Sequence, residues 1–312
     1  MYELIIIGAG PAGITASIYA ARKRMNFLVI TKDIGGQAAL SGDVENYTGY
    51  QYITGAELVK KFEEHMREFN IEVKFEEVVG IEKTDGSFRV RTNKGLYESE
   101  TLIIASGARP RMLNIPGELE FKNRGVTYCA TCDAPLFTRK DVAYIGGDNS
   151  GHDATLQLIR IANKIYLIER EPTLRGDEVM REKVERSDKV TIFTNTKVIE
   201  ISGDRFVTGL TIEREGKRET LNVQGVFIEI GYIPNSEFVA DIVRLNERKE
   251  IIIDDRCQTS VNGIFAAGDV TNVPTKQIIV AAGEGAKAAL SAYSAVVAKR
   301  ERSHPPAQST AP

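Results

Sequence analysis

Two stretches of the chain share one order of apolar runs and helical segments. The first has apolar runs at 3–7 and 27–30 around a small-residue helical segment at 14–21. The second repeats this order, with apolar runs at 141–145 and 164–168. Apolar runs of this length joined by helices indicate parallel strands that are covered on both faces. We therefore predict an α/β protein with two Rossmann-like, three-layer ββα nucleotide-binding domains.

The end of the chain shows which domain is discontinuous. A small-residue helix is predicted at about 277–298, and no third glycine fingerprint accompanies it. This segment therefore completes the first domain, which we place at 1–112 and 241–312, with the second domain inserted at 113–240. The polar, proline-rich tail from Arg302 onward is expected to be disordered.

Composition narrows the class of protein. The 312 residues are 42% hydrophobic and 27% charged with a net charge of −3, which is ordinary for a soluble enzyme and gives no reason to expect nucleic acid or a membrane as a partner. No apolar run approaches the roughly 20 residues that span a bilayer. The N-terminus has no basic start of the kind that precedes a secretion signal, so we expect a cytoplasmic protein.

A glycine fingerprint follows the first predicted strand. Gly8 permits a tight turn, Gly10 lets the backbone approach a pyrophosphate, and Gly13 brings helix and strand together. The free N–H groups and the helix dipole would hold the phosphates. The usual acidic ribose ligand is absent from the end of the second strand, and the residues leave Thr31 and Asp33 as alternatives.

A Cys-x-x-Cys-Asp motif, Cys129 to Asp133, carries the redox chemistry that we predict. Two sulfurs at this spacing can close a small ring at the start of a helix, where the dipole favours the reactive thiolate. One sulfur attacks a partner disulfide and the other resolves the mixed disulfide. Asp133 stands where it can pass protons to the thiols if burial raises its pKa. We expect no metal site, because a structural zinc needs four ligands and only Cys257 and three histidines remain.

With these motifs the chain resembles the low-molecular-weight thioredoxin reductases over nearly its whole length. The resemblance implies FAD in the first domain, a homodimer, and rotation of one domain against the other during turnover. It also assigns Cys132 to the flavin, Cys129 to the protein substrate and Asp133 to acid–base chemistry. The motifs that carry it are Gly8 to Gly13, Gly35-Gly36-Gln37, Val44 to Tyr47, Ala105 to Ala108, Cys129 to Asp133, Gly263 to Val270 and Gly283 to Gly285.

The resemblance also implies a set of FAD contacts. In the family an arginine precedes the last of them, whereas Lys276 stands there in this chain. The residues at matching positions are Gly8, Gly10, Pro11, Ala12, Gly13, Gly36, Gln37, Asn46, Gly268, Asp269 and Gln277.

The second glycine fingerprint departs from the pattern. Its second position holds Asp148, whose Cβ and carboxylate oppose a bound pyrophosphate. Glu169 and Glu171 stand where the family carries cations for the 2′-phosphate of NADPH, although Arg175 is retained. These acids argue against NADPH. A Glu at the end of the second strand suits a ribose 2′-hydroxyl and therefore NADH, but Asp148 opposes that nucleotide too.

We therefore predict a homodimeric FAD-dependent disulfide reductase that acts on thioredoxin or a thioredoxin-like protein. Its donor stays open between NADH and reduced ferredoxin, and an inserted domain kept only as a scaffold is an alternative. A dithiol oxidase on the same scaffold is the first rival function. A flavin-bound redox sensor without enzymatic activity is the second.

Overall fold

The computed structural model describes residues 1–41 and 43–303, and the predicted disordered tail beyond 303 lies outside this range. The chain divides into two compact units. The first comprises 1–109 together with the residues from 233 onward, and the second comprises 110–232. Among the described residues, no helix is both long and apolar enough to cross a membrane.

The first unit is built on a seven-stranded sheet. The strands of this unit are β1 (Tyr2–Ala9), β2 (Phe27–Ile34), β3 (Asp43–Val44), β4 (Ile53–Thr54), β5 (Val73–Phe75), β6 (Val78–Lys83), β7 (Phe88–Thr92), β8 (Leu96–Ile104) and β19 (Ile264–Ala266). The order in the large sheet is β5-β2-β1-β8-β7-β6, with β19 also paired to β8. Strands β2, β1 and β8 run parallel, and β6 and β7 form an antiparallel extension.

Helices cover the sheet because its central strands are apolar on both faces. Along β1, Leu4 and Ile6 belong to one buried cluster and Ile5 and Ile7 to another, as the two-residue period of a strand requires. The helices of this unit are α1 (Pro11–Arg22), α2 (Gly36–Ala39), α3 (Gly55–Glu68) and α7 (Ile278–Ser303), with a 3-10 turn at Glu237–Val239.

The second unit holds a five-stranded parallel sheet and a separate antiparallel sheet of three strands. Its strands are β10 (Val126–Thr127), β11 (Asp141–Ile145), β12 (Lys164–Ile168), β13 (Val190–Phe193), β14 (Lys197–Gly203), β15 (Val207–Arg214), β16 (Lys217–Asn222) and β17 (Gly225–Ile228). The parallel sheet has the order β10-β17-β11-β12-β13, and the antiparallel sheet the order β14-β15-β16. The helices of the unit are α4 (Ala130–Asp133), α5 (Asn149–Ile159) and α6 (Glu178–Glu185), with a 3-10 turn at Ala134–Phe137. Short strands β9 (Ala108–Pro110) and β18 (Tyr232–Pro234) lie in the two linking segments.

The second unit ends at Tyr232, whereas the predicted inserted domain extends to residue 240. The intervening segment packs with the first unit because Val239 is buried in that unit's apolar core and Phe238 packs against it. Hydrophobic periodicity alone does not distinguish which of two cores such a segment joins. The two-domain α/β architecture itself is as predicted.

Candidate active site

The first glycine fingerprint forms a tight turn between β1 and α1. A Cβ on Gly13 would lie 1.9 Å from the Gly8 carbonyl oxygen, so this close approach of helix and strand requires glycine. Around Gly10 the situation is the opposite, because a Cβ there would meet nothing within 4 Å. Gly10 is the residue before α1, whose first residue is Pro11. The start of this helix therefore faces open space that a phosphate group can enter.

Several of the predicted FAD contacts lie close together in the first unit although they are far apart in the sequence. The Asn46 side chain donates its Nδ2–H to Gln277 Oε1 at 3.0 Å. A Cβ on Gly36 would lie 3.6 Å from the Gly10 Cα, so the start of α2, where Gln37 also lies, adjoins the fingerprint turn. These contacts bring three separate motifs of the sequence to one region.

Buried acids follow β19 in the same unit. The Gly268 N–H donates to Glu284 Oε2 at 2.8 Å, which ties the start of α7 to the end of the strand. Burial raises the pKa of both Glu284 and the neighbouring Asp269. Lys276 forms an ion pair with Glu250 at 3.1 Å, with 18% and 14% of their side chains exposed. The lysine that replaces the family's arginine thus has a buried carboxylate partner.

The structure distinguishes between the two candidate ribose ligands. The Thr31 hydroxyl accepts the Ala9 N–H at 3.1 Å and donates to the Asp33 carbonyl at 2.6 Å, so it is used within the fold. Asp33 is exposed, and its Oδ1 accepts the Gly36 N–H at 3.2 Å. The carboxylate of Asp33 is therefore the better placed of the two groups.

Taken together, the first unit fits FAD. It offers a helix start facing open space at Gly10, an acidic group near the end of the second strand, and an amide pair from Asn46 and Gln277. These groups match the pyrophosphate, the hydroxyls and the polar edges of a dinucleotide.

In the second unit, Cys129 and Cys132 form a disulfide at the start of α4. Their Cα atoms are 5.3 Å apart, and both residues are half-buried. Cys129 is the residue before the helix, and its sulfur accepts the Cys132 N–H at 3.3 Å. This is the position predicted from the sequence, where free N–H groups favour a thiolate once the bond is reduced.

A threonine connects the disulfide to the acid that follows it. The Thr127 hydroxyl donates to Asp133 Oδ2 and accepts the Cys129 N–H, the latter at 3.2 Å. Asp133 is thereby held on the last residue of α4, beside the thiol chemistry that the sequence assigns to it. The sequence pattern did not single out Thr127, although it lies only two residues before the motif.

Glu229, which follows β17, is a second residue that the sequence pattern did not single out. Its Oε1 accepts the Ala130 N–H at the start of α4, and its Oε2 accepts the Tyr144 hydroxyl proton at 3.1 Å. Burial raises the pKa of the Glu229 carboxyl. A signal was available, because Glu229 ends an otherwise apolar run that begins at Val226.

The second fingerprint holds its own carboxylates. Asp148 is the residue before α5, and its Oδ1 accepts the Gly151 N–H at 3.1 Å. Glu169, only 8% exposed, accepts the Glu171 N–H at 3.0 Å. Its Oε2 lies 2.6 Å from where a Cβ on Gly147 would be. Two acids therefore lie against the turn that binds a pyrophosphate in nucleotide-binding folds.

A short segment after β12 closes over this turn. The Arg175 N–H donates to the Gly147 carbonyl at 2.8 Å, and its own carbonyl lies 2.8 Å from His152 Nε2. Leu174 is buried against Gly147. His152 is fully buried and so belongs to the internal packing of the unit.

Comparisons with known proteins agree with this arrangement. The crystal structure of thioredoxin reductase from Streptococcus pyogenes MGAS5005 is 37% identical in sequence, with a TM-score of 0.90 over 96% of this chain and 99% of that one. In alkyl hydroperoxide reductase of Staphylococcus aureus (strain MRSA252), the matching polypeptide is 42% identical over 300 residues, which are 95% of this chain and 59% of that polypeptide. The protein named NADH dehydrogenase from Bacillus subtilis (strain 168) is 41% identical over 295 residues, 94% of this chain and 58% of that protein.

The chain therefore spans less than two thirds of these two curated relatives, but nearly all of the solved reductase. Residues 2–285 match the pyridine nucleotide-disulphide oxidoreductase family, a class of enzymes whose name implies a flavin and a nicotinamide nucleotide as redox cofactors. On this match, and with a disulfide at the start of α4, the chain belongs to the pyridine nucleotide-disulphide oxidoreductase family.

Proposed function

We propose that the chain is an FAD-dependent disulfide reductase whose substrate is thioredoxin or a thioredoxin-like protein. The observation that carries this proposal is the Cys129–Cys132 disulfide at the start of α4, with Asp133 held beside it by Thr127. The solved reductase at 37% identity supports the same substrate class. The homodimer and the domain rotation implied by the resemblance stay predictions.

The chemistry follows from the roles that the resemblance gives to the two sulfurs. FAD, when bound, supplies a two-electron carrier. Two electrons break the Cys129–Cys132 bond, and two protons complete the thiols. The Cys129 thiolate then attacks the partner disulfide and releases one partner thiolate, and Cys132 attacks the Cys129 sulfur to release the other. Asp133 returns the protons in this scheme, since it lies on the same short helix.

For the electron donor we propose NADH ahead of NADPH. Glu169 and Glu171 lie at the end of β12, where a 2′-phosphate would need cations and a 2′-hydroxyl needs an acceptor. The relative named NADH dehydrogenase supports this choice, although the chain spans 58% of that protein. Asp148 weakens binding of either nucleotide, so we expect a high KM for NADH.

An anaerobic titration of the flavin absorbance tests both parts of the proposal. We expect NADH to bleach the oxidised flavin at concentrations at which NADPH has little effect. Addition of oxidised thioredoxin should then restore the flavin absorbance. Bleaching by reduced ferredoxin with no response to either nucleotide would contradict the proposed donor. Reduced flavin that transfers no electrons to any disulfide protein would contradict the proposed reaction.

A further inference from the structure

Glu229 is a buried acid at the redox disulfide that the proposed reaction does not use. It follows β17, and one of its carboxylate oxygens accepts the Ala130 N–H, the first amide of α4. Ala130 is the residue next to Cys129, so this bond fixes Glu229 beside the disulfide. The other carboxylate oxygen accepts the Tyr144 hydroxyl proton at 3.1 Å. Both bonds lie within the second unit and hold the side chain in one position.

The surroundings of Glu229 make its charge sensitive to events at the disulfide. The titratable groups that face it are Tyr144 on β11, Asp148 before α5 and Asp133 on α4. Desolvation raises the pKa of Glu229, and the negative charges of Asp148 and Asp133 act in the same direction. The hydrogen bonds from Ala130 and Tyr144 oppose them by favouring the carboxylate. A further negative charge nearby would therefore shift Glu229 towards its protonated form.

We propose that Glu229 is a positioning residue that holds the start of α4 and sets the redox equilibrium of the Cys129–Cys132 disulfide. The inference rests on the proposed function, because it assigns a role within that disulfide's reduction. A carboxylate on the Ala130 N–H neutralises part of the positive helix end that would otherwise stabilise a thiolate. The disulfide is then a stronger reductant in its dithiol form than it would be with a neutral side chain at position 229.

The proton balance gives this role a signature. Reduction breaks the S–S bond with two electrons from the reductant, a dithiol or thiol pair in the assay. Two protons give two thiols, and one proton gives a thiol and a thiolate. When a thiolate forms, its charge draws one additional proton onto Glu229. In the pH range in which this happens, the wild-type equilibrium depends more steeply on pH than that of a variant lacking the carboxylate.

The experiment is a redox titration of the holoenzyme in glutathione buffers between pH 5 and pH 8, with thiol trapping to measure the Cys129–Cys132 disulfide. Glu229→Gln keeps an oxygen for Ala130 and a polar group for Tyr144 while it removes the charge. We expect its equilibrium to favour the dithiol about tenfold more than the wild type at pH 8, or about 30 mV. This difference should vanish near pH 5, where Glu229 is protonated in both redox states.

The matched control is Glu118→Gln in the same unit. Glu118 is also buried, accepts two backbone N–H groups, from Leu113 and Asn114, and accepts the Tyr128 hydroxyl proton, but it has no bond to α4. We expect it to leave the redox equilibrium unchanged. A tenfold shift in Glu229→Gln that is the same at every pH would show only a structural role and would overturn the inference, as would no shift at all.

A second variant covers the case in which Glu229→Gln does not fold. Tyr144→Phe retains the carboxylate and its bond to Ala130 but removes a donor that favours the charged form. Its pH profile should therefore be displaced to higher pH, and an unchanged profile would overturn the inference. Failure of the proposed function looks different, because no glutathione buffer would then reduce the disulfide reversibly in the wild type.

Discussion

Asp148 and Gly151 are linked by a hydrogen bond from the Gly151 N–H to Asp148 Oδ1, 3.1 Å long. This bond gives α5 a carboxylate cap from within the chain. In nucleotide-binding folds the same helix start binds a pyrophosphate through its free N–H groups and its dipole. The second fingerprint has therefore retained its fold, while an acid of the chain itself lies where an anionic ligand would bind.

The first prediction concerns this acid. Asp148→Gly should lower the KM for NADH tenfold or more, because repulsion between close charges near a surface is worth about 1–4 kcal/mol and each 1.4 kcal/mol is about tenfold. Loss of the cap should cost only a few tenths of a kcal/mol of stability, about 0.3 kcal/mol. Anaerobic flavin reduction gives the KM. Asp148→Asn is the control that keeps a capping side chain without its charge, and it should recover part of the gain.

Donor choice is the second prediction. In the Asp148→Gly background, Glu169→His with Glu171→Arg should raise kcat/KM for NADPH and lower it for NADH. The added cations attract a 2′-phosphate, and the ribose 2′-hydroxyl loses its carboxylate partner. Steady-state rates with both nucleotides measure the switch. The Asp148→Gly single variant is the reference, and an unaltered ratio of the two rates would show that these acids do not determine specificity.

The third prediction places FAD in the first unit. Gly10→Asp should release FAD while the protein stays folded, because the structure leaves open space at this position and the new carboxylate would repel a pyrophosphate. Flavin absorbance after gel filtration and a circular dichroism melt measure the two effects. Gly13→Ala is the contrasting variant, since its Cβ would lie 1.9 Å from the Gly8 carbonyl oxygen and should destabilise the fold itself. A flavin-loaded Gly10→Asp protein would refute the placement.

The sequence could predict the elements whose pattern is strong and local. The strand at 141–145 and the strand at 164–168 lie where the apolar runs predict them, and the glycine turn before α1 follows from its spacing. The start of α4 at the cysteine motif was likewise predicted. Glu229 was not, because its role depends on the Ala130 N–H, a contact between residues 99 positions apart. The capping role of Asp148 depends on a side-chain rotamer, which a sequence does not specify.

The two sulfurs give the fourth prediction. Cys132→Ser should abolish electron transfer from the reduced flavin to the protein substrate, lowering thioredoxin turnover by at least 100-fold while nucleotide-driven flavin reduction continues. The physical reason is that a hydroxyl cannot accept the two electrons that open a disulfide. Cys257→Ala is the control, because Cys257 is buried in the first unit and burial raises the pKa of its thiol to about 11. Full turnover by Cys132→Ser would exclude the assigned role.

The fifth prediction concerns stability against pH. Burial lowers the pKa of His152, whose Nε2 lies 2.8 Å from the Arg175 carbonyl and so carries the proton of the neutral ring. Its Nδ1 is buried without a hydrogen-bond partner among the described residues, so protonation there is unfavourable in the folded state. An unfolded histidine has a pKa of about 6.5. The neutral ring therefore contributes its full stability above that pH, and this contribution falls as the pH drops below 6.5 towards the lower pKa of the folded state.

His152→Gln should flatten this part of the profile, since an amide does not titrate and can still donate to the Arg175 carbonyl. Urea unfolding between pH 5 and pH 8 measures the free energy of unfolding for both proteins, with His65→Gln as the control on an exposed face of α3. The difference between wild type and His152→Gln should change with pH only below about 6.5. A difference independent of pH would mean that His152 stays neutral throughout, or that the segment carrying Arg175 opens before the ring is protonated.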